Sequence, residues 1–394
     1  MKVLLTSDWY TPAVNGVVTS LLNLRHGLEA AGHEVRILTL SQSPHSFSSD
    51  GVTYIGSIPA GVVYPGARLR TASGRKAVQE IIAWGPDIVH SNCEFSTFRI
   101  ARRISERLNI PLIHTYHTVY ENYTHYFSPV KKWGKAAARS FSRHIAARCD
   151  CIIAPTGKVK KLLDGYKIAK PIYVVPSGIE TEHFSQEVTD AERMQLRKQL
   201  GIPENHTVLV SVGRLAKEKN CEELLRSVCN FRNAPLTLLL VGDGPYRSEL
   251  KHISREIGID NQVIFTGMVP PENVWRYYQA GDLFVSASTS ETQGLTYLEA
   301  LSSGLPLLCR KDECLTGVLK NGINGWQYEN TTELCDRITL FLHCPELRNK
   351  FQHNALELSR NFSVSAFAEN IEQIYTDRLL SGAIPKKQVI LSSV

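Results

Sequence analysis

No Cys-x-x-Cys pair occurs in this chain of 394 residues, and its nine cysteines, at positions 93, 149, 151, 221, 229, 309, 314, 335 and 344, are scattered and odd in number. That pattern speaks against a disulfide framework or a zinc ribbon and fits reduced thiols. There is no Gly-x-Gly-x-x-Gly turn either, which makes a dinucleotide-dependent dehydrogenase a poor reading. Asp-x-Asp, the short acidic pair that would hold a metal beside a diphosphate, is absent as well. No run approaches the ~20 apolar residues that a membrane-crossing helix needs. Met1 to Leu5 opens directly on a strand pattern with no charged leader before it, so no signal peptide is expected and the chain is expected in the cytoplasm.

What is present is a large α/β chain. Its length exceeds the size at which single cores stop growing, and its 43% apolar fraction suffices for ordinary cores, so two domains are expected. Strand-like apolar runs at 3–6, 35–39, 88–90, 112–115, 151–154 and 172–175 alternate with helical patterns, beginning with 17–31. A second series follows at 208–212, 236–241, 263–265, 283–286 and 307–308. Such alternation predicts parallel sheets with helices on both faces. The expected division is 1–180, 181–362, a terminal helix over 363–380 and a mobile tail from 381.

Charge is uneven. Residues 1–180 carry 22 Lys plus Arg against 12 Asp plus Glu, whereas the remainder carries 22 against 26. The densest basic stretch, Lys131 to Arg148, has six Lys or Arg and no acid: Lys131, Lys132, Lys135, Arg139, Arg143 and Arg148. Trp133, Phe141 and Ile145 interleave with these, as in a helix lying on anionic lipid, although a merely solvated helix face explains the charges too. No recognition motif supports nucleic-acid binding.

Two segments of the second half combine into an anion site. Arg214 and Lys219 follow the apolar run 208–212, and Gly294 stands at the mouth of a helix marked by Leu295, Leu298, Ala300 and Leu301. A helix start exposes unpaired N–H groups, so amides near Gly294, Leu295 and Thr296 can receive phosphate oxygens. Glu291 and Glu299 stand eight positions apart, ~12 Å along a helix axis. A nucleophile and acid couple of a retaining glycosidase needs about 5 to 5.5 Å, so separate contacts suit these two acids better. Val241-Gly-Asp-Gly-Pro245 reads as a tight turn or as a pocket wall. Asn15 reads as a helix cap, with Gly16 beside it where a ligand could approach closely. His117 follows the run 112–115 at the end where open α/β sheets collect ligands.

The order and spacing of these pieces resemble the family 4 glycosyltransferases, retaining enzymes whose signature is Glu, seven intervening residues and Glu. The matching elements are Glu291 to Glu299 with Gly-Leu-Thr between them, Asn15-Gly16-Val17, His117, Pro176-Ser-Gly-Ile-Glu180, Gly213-Arg214 with Lys219, Gly242-Asp-Gly244 and Phe265-Thr-Gly267. The resemblance implies the GT-B architecture: two Rossmann-like domains facing across a cleft, with a C-terminal helix crossing back to the first. It implies a nucleotide-sugar donor held by Gly16, Arg214, Lys219, Val269, Gly294, Leu295, Thr296 and Glu299. Catalytic contributions are expected from His117, Glu291, Arg214 and Lys219, with no metal or other cofactor. The continuation with Tyr120, Tyr123 and Tyr126 resembles the acceptor-side loop of bacterial glucosyltransferases acting on diacylglycerol. UDP-glucose is then the expected donor, and the expected location is peripheral on the inner face of the membrane. A polyprenyl-linked glycan, a phosphatidylinositol or a soluble sugar remains open as acceptor, and so does a non-catalytic scaffold.

Overall fold

A computed structural model describes residues 1–60, 67–121 and 131–383, so Tyr123, Tyr126 and the tail from 384 lie outside the described residues. The chain forms two compact units. One comprises Met1–Gly178 with the terminal helix Val364–Ala383, and the other is Ile179–Ser363. The expected divisions after 180 and 362 shift because Ile179 and Ser363 pair as a parallel bridge inside the second unit. The Ile179 N–H also donates to the Phe362 carbonyl at 2.9 Å. The terminal helix runs to Ala383, three residues into the stretch expected to be a mobile tail, and the Ser381 hydroxyl bonds the Asp377 carbonyl within it.

The first unit is built on β1 (Lys2–Thr6), β2 (Glu34–Leu40), β3 (Phe47–Ser49) and β4 (Val52–Ile55). It continues with β5 (Ser57–Pro59), β6 (Arg68–Arg70), β7 (Ile88–Ser91), β8 (Leu112–Thr115), β9 (Cys151–Ala154) and β10 (Ile172–Val174). The main sheet has the order β10-β9-β8-β7-β1-β2-β4-β3, parallel throughout except for β3, while β5 and β6 form a separate ribbon. The central strands β7, β8 and β9 are buried along their whole length, as in a parallel sheet covered on both faces by helices. Helix Gly16–Ala30 starts where the Asn15 side chain accepts from the Val17 and Val18 N–H groups, each at 3.0 Å. It buries Val18, Leu21, Leu24 and Leu28 at helical spacing. The terminal helix buries Phe367, Ala368, Ile371, Ile374 and Tyr375 in that same core.

Tyr375 also joins a buried polar line, for its hydroxyl meets His90 Nδ1 at 2.6 Å and His90 Nε2 meets Thr115 Oγ1 at 2.6 Å. Burial, aided by His117 and His114, drives the His90 imidazole down to about 3. The unfolded chain takes up this proton below about 6.5 and the folded chain does not. Stability is therefore whole above pH 6.5 and falls as pH drops through that window, by about 2 kcal/mol at pH 5. Asp8 works in the opposite sense, since burial pushes its carboxyl up to about 6 and folding then favours its proton as pH falls. His90→Gln is expected to shrink the stability lost between pH 7 and pH 5 in urea unfolding by about 2 kcal/mol. An equal loss in parent and variant would contradict this assignment.

The second unit carries β11 (Thr207–Val212), β12 (Leu236–Val241), β13 (Val263–Phe265), β14 (Leu283–Ser286), β15 (Leu307–Arg310) and β16 (Gly325–Tyr328). Its sheet is wholly parallel, in the order β13-β12-β11-β14-β15-β16. Leu209 pairs with Leu283 and Val210 with Phe284, so the loops that follow β11 and β14 leave the same edge side by side. In an open parallel sheet that edge is where ligands bind.

Candidate functional site

The loop after β11 carries both expected cations. Arg214 is followed by a 3-10 turn at Lys217–Lys219, and helix Cys221–Val228 begins immediately after it. Arg214 pairs with Glu218 four positions on; Arg214 is exposed and Glu218 half-buried. Lys219 is more enclosed, and its Nζ lies 2.5 Å from Glu291 Oε1 in the loop after β14. A second contact holds the two loops together, for the Ser290 hydroxyl donates to the Glu218 carbonyl at 3.3 Å.

The glycines of the loop after β12 support this arrangement. A Cβ on Gly242 would fall 2.1 Å from the Gly213 carbonyl oxygen, and one on Gly244 would fall 2.3 Å from that of Leu215. The Leu215 N–H in turn donates to the Asp243 carbonyl at 2.9 Å. The Gly-Asp-Gly segment is thus a tight turn that lets two backbones meet, and it fixes the loop from which Arg214 projects.

Beyond β14, Gly294 adopts a left-handed conformation (φ +78°) and opens helix Leu295–Ser302. Glu291 lies outside that helix and Glu299 inside it, each with its own partner. Glu299 Oε2 accepts from the buried Tyr278 hydroxyl at 2.6 Å. Burial raises the Glu299 carboxyl above its ordinary value, and the Tyr278 bond partly offsets this. Val269 is buried in the core of this unit, whereas its neighbour Met268 is 69% exposed. The second unit therefore gathers Arg214, Lys219, Glu291, Gly294, Leu295 and Thr296 on loops leaving one sheet edge. Two cations, an enclosed carboxylate and a helix start together can hold a diphosphate with a hydroxylated group beside it.

In the first unit, His117 follows β8 and its Nε2 meets Asn92 Oδ1, after β7, at 3.0 Å. With Asn92 accepting, the proton sits on Nε2 and Nδ1 carries the lone pair. Burial, reinforced by His114, lowers the His117 imidazole to about 3, so it is neutral near pH 7. Gly16 is exposed at the first position of its helix, and Asn15 makes the expected cap.

Tyr120, expected on the acceptor side, is half-buried. Its hydroxyl donates inward to Glu94 Oε2 at 2.5 Å, and its ring packs edge-on against Phe95, Tyr116 and Phe141. Glu94 itself is buried, with His114 Nε2 3.3 Å from its other oxygen. The basic stretch forms helix Lys131–Ala146, but Ile145 belongs to the core and Phe141 packs against it. The apolar members of the stretch thus follow the buried helical face, and Trp133 alone of the three points outward, at 74% exposure. Lys132, Trp133, Lys135, Arg139 and Arg143 are all exposed. Lys135 reaches Glu121 at 3.2 Å, and Arg139 lies over the Tyr166 ring.

Sequence reasoning missed the residues that hold this machinery: Asn92, Tyr278, Ser290 and Glu218. Asn92 alone left a usable trace, as a polar residue just past a buried strand at the ligand-binding edge. Among the described residues, no group of three or more His, Cys, Asp or Glu is placed to hold a metal ion. No described helix is long and apolar enough to cross a membrane.

Known proteins match this architecture along nearly the whole chain. Residues 14–183 fit the family model "Glycosyltransferase Family 4", and residues 192–358 fit "Glycosyl transferases group 1". The α-monoglucosyldiacylglycerol synthase of Streptococcus pneumoniae is 32% identical over 391 residues, covering 98% of this chain and 88% of that one. The protein of the same name from Acholeplasma laidlawii is 31% identical over 389 residues, covering 96% and 97%. In three dimensions, Anabaena HepE, solved with UDP and glucose, superposes with a TM-score of 0.75 at 18% identity, over 96% of this chain and all of that one. Sucrose-phosphate synthase from Thermosynechococcus elongatus gives 0.76 at 20% identity, over 96% and 99%. The chain belongs to the family 4 glycosyltransferases and has their GT-B architecture of two Rossmann-like domains.

Proposed function

We propose that this protein is a retaining glucosyltransferase that moves glucose from UDP-glucose to the free hydroxyl of 1,2-diacylglycerol. The observation that carries the reading is the enclosed Lys219 to Glu291 pair beside the Gly294 helix start. A point charge, a carboxylate suited to sugar hydroxyls and the first amides of a helix on adjacent loops support this reading. Lys219 and Arg214 neutralise the charge that grows on the departing diphosphate, and the amides at Gly294, Leu295 and Thr296 take phosphate oxygens. Glu299 accepts from the ribose, Val269 lies beside the base, Gly16 allows close approach of the donor, and Glu291 accepts from sugar hydroxyls. Neutral His117 offers an uncharged hydrogen bond to the sugar. As membership of a retaining family implies, attack comes from the face that the diphosphate leaves, and a phosphate oxygen of the leaving group takes the acceptor proton. The anomeric configuration is retained, and the charge balance needs no metal.

The acceptor rests on the two relatives named for α-monoglucosyldiacylglycerol synthesis, each about one-third identical almost end to end. The test is incubation of the purified protein with UDP-glucose and diacylglycerol in vesicles, followed by mass and NMR analysis of the lipid. An α-linked monoglucosyl lipid is expected. A β-linked product would overturn retention, and transfer only to a polyprenyl-linked glycan, a phosphatidylinositol or a soluble sugar would overturn the acceptor.

The exposed basic residues of helix Lys131–Ala146 give such an enzyme its place on the inner membrane face, with Trp133 entering the interface. Each basic residue near an anionic surface contributes roughly 1 kcal/mol, so reversing Lys132 and Arg143 to Glu together is expected to weaken vesicle binding by at least about 30-fold. Flotation with vesicles containing anionic lipid reads this directly. Binding that survives the double reversal would remove the helix from the membrane contact.

A further inference from the structure

Lys219 is followed at once by Asn220, a residue in the left-handed region (φ +53°, ψ +34°) that ends the 3-10 turn and begins the next helix. Its backbone is held there by two bonds, Asn220 N–H to the Lys217 carbonyl and Glu223 N–H to the Asn220 carbonyl. Its side chain is engaged as well, for Nδ2 donates to Glu223 Oε2 at 2.6 Å. The Glu223 carboxylate is enclosed, with 11% of its side chain exposed. It accepts both oxygens' worth of contact from Arg310 Nη1, at 2.6 and 2.7 Å. Arg310 is the last residue of β15 and pairs in register with Tyr328 of β16, whose buried hydroxyl donates to the Ser286 carbonyl at 3.4 Å.

This line of contacts lies behind Lys219 and serves none of the roles assigned so far. Asparagine adopts the left-handed region more readily than other side chains, and the Nδ2 bond to Glu223 fixes Asn220 there. Lys219 cannot shift along the turn while Asn220 is anchored through Glu223 to the end of β15. A long, flexible ammonium side chain gains most from such fixing, because its precision at a diphosphate depends on where its backbone stands. The geometry points to Glu223 and Arg310 as positioning residues that act through Asn220 to set Lys219 against the diphosphate of a nucleotide donor. This rests on the donor reading of Lys219 given above.

A binding cycle with UDP itself, measured by calorimetry on the full chain, separates the two ideas. Lys219→Ala alone tests the donor reading, and UDP binding as tight as the parent's would overturn that reading and this one with it. Given the weakening expected there, Glu223→Gln and Arg310→Met are each expected to lower UDP affinity about 10-fold, the loss typical of a broken charged contact. In the Lys219→Ala background, Glu223→Gln is expected to add less than about twofold, because residues acting through one group are not additive. A purely structural effect would add in full. Asn220→Gly keeps the backbone conformation at no steric cost and removes only the tether, so it serves in the same cycle if Glu223→Gln fails to fold. Unchanged affinity in Glu223→Gln, or an undiminished loss in the Lys219→Ala background, would overturn the positioning role while leaving the donor reading intact.

Discussion

Lys219→Ala is expected to lower kcat/KM for glucosyl transfer by about 100- to 1,000-fold, the range seen when one preorganised stabiliser of a developing oxyanion is removed. Two features make this effect large. The ammonium is only partly exposed, and it lies 2.5 Å from a carboxylate that is more enclosed still. Its charge is therefore less screened than that of a surface lysine, and its removal deprives Glu291 of this contact as well. Arg214 provides the contrast. It is 45% exposed and paired within its own turn, an arrangement worth little in solvent, so Arg214→Ala is expected to cost only about 10-fold. Steady-state kinetics with UDP-glucose and vesicle-borne diacylglycerol, alongside thermal unfolding, give the comparison. An Arg214→Ala loss exceeding that of Lys219→Ala would reverse the assignment of the principal cation.

The ranking of these two cations is an instance of what the amino-acid pattern can and cannot convey. Arg214, Lys219, Glu291 and Gly294 are readable because each sits just beyond an apolar strand or at a helix mouth, where local rules suffice. Their relative enclosure depends on Ser290 reaching Glu218 and on two glycine turns meeting backbone to backbone, contacts made by residues distant in the chain. The strands show the same division. β12, buried at every residue, is legible as a continuous apolar run, whereas β3 is exposed at every residue and β16 begins in a Gly-Ile-Asn-Gly turn signal. Nothing local distinguishes those two from loops, since pairing with a neighbour creates them. In the basic helix, alternating apolar and charged residues look alike whether they face lipid or core. Only packing assigns Ile145 to the inside and Trp133 to the outside.

Gly294→Ala is expected to damage the donor site through geometry alone, with no change of charge. The residue stands at φ +78°, which costs an alanine about 1–2 kcal/mol. Its new Cβ would lie 2.5 Å from Tyr297 Cε2 and 2.6 Å from Cδ2. That ring has no cheap escape, for it is fully buried, packs edge-on against Phe284 and has its hydroxyl 3.3 Å from Ser286. Overpacking of this kind adds about 1–3 kcal/mol, and the relief open to the chain is displacement of the helix start. The amides of Leu295 and Thr296 move with it, so donor KM is expected to rise by at least about 10-fold as aligned anion contacts are lost. Gly304 is the matched control. It also has a positive φ, +74°, but the nearest atom to an added Cβ is Gln352 Cγ at 3.3 Å, the flexible part of a side chain. Gly304→Ala should therefore show the conformational cost in its melting temperature, about 2–4 °C per kcal/mol, while donor KM stays at the parent value. If both variants raise donor KM equally, the effect belongs to general loss of stability, and the helix start loses its claim on the phosphates.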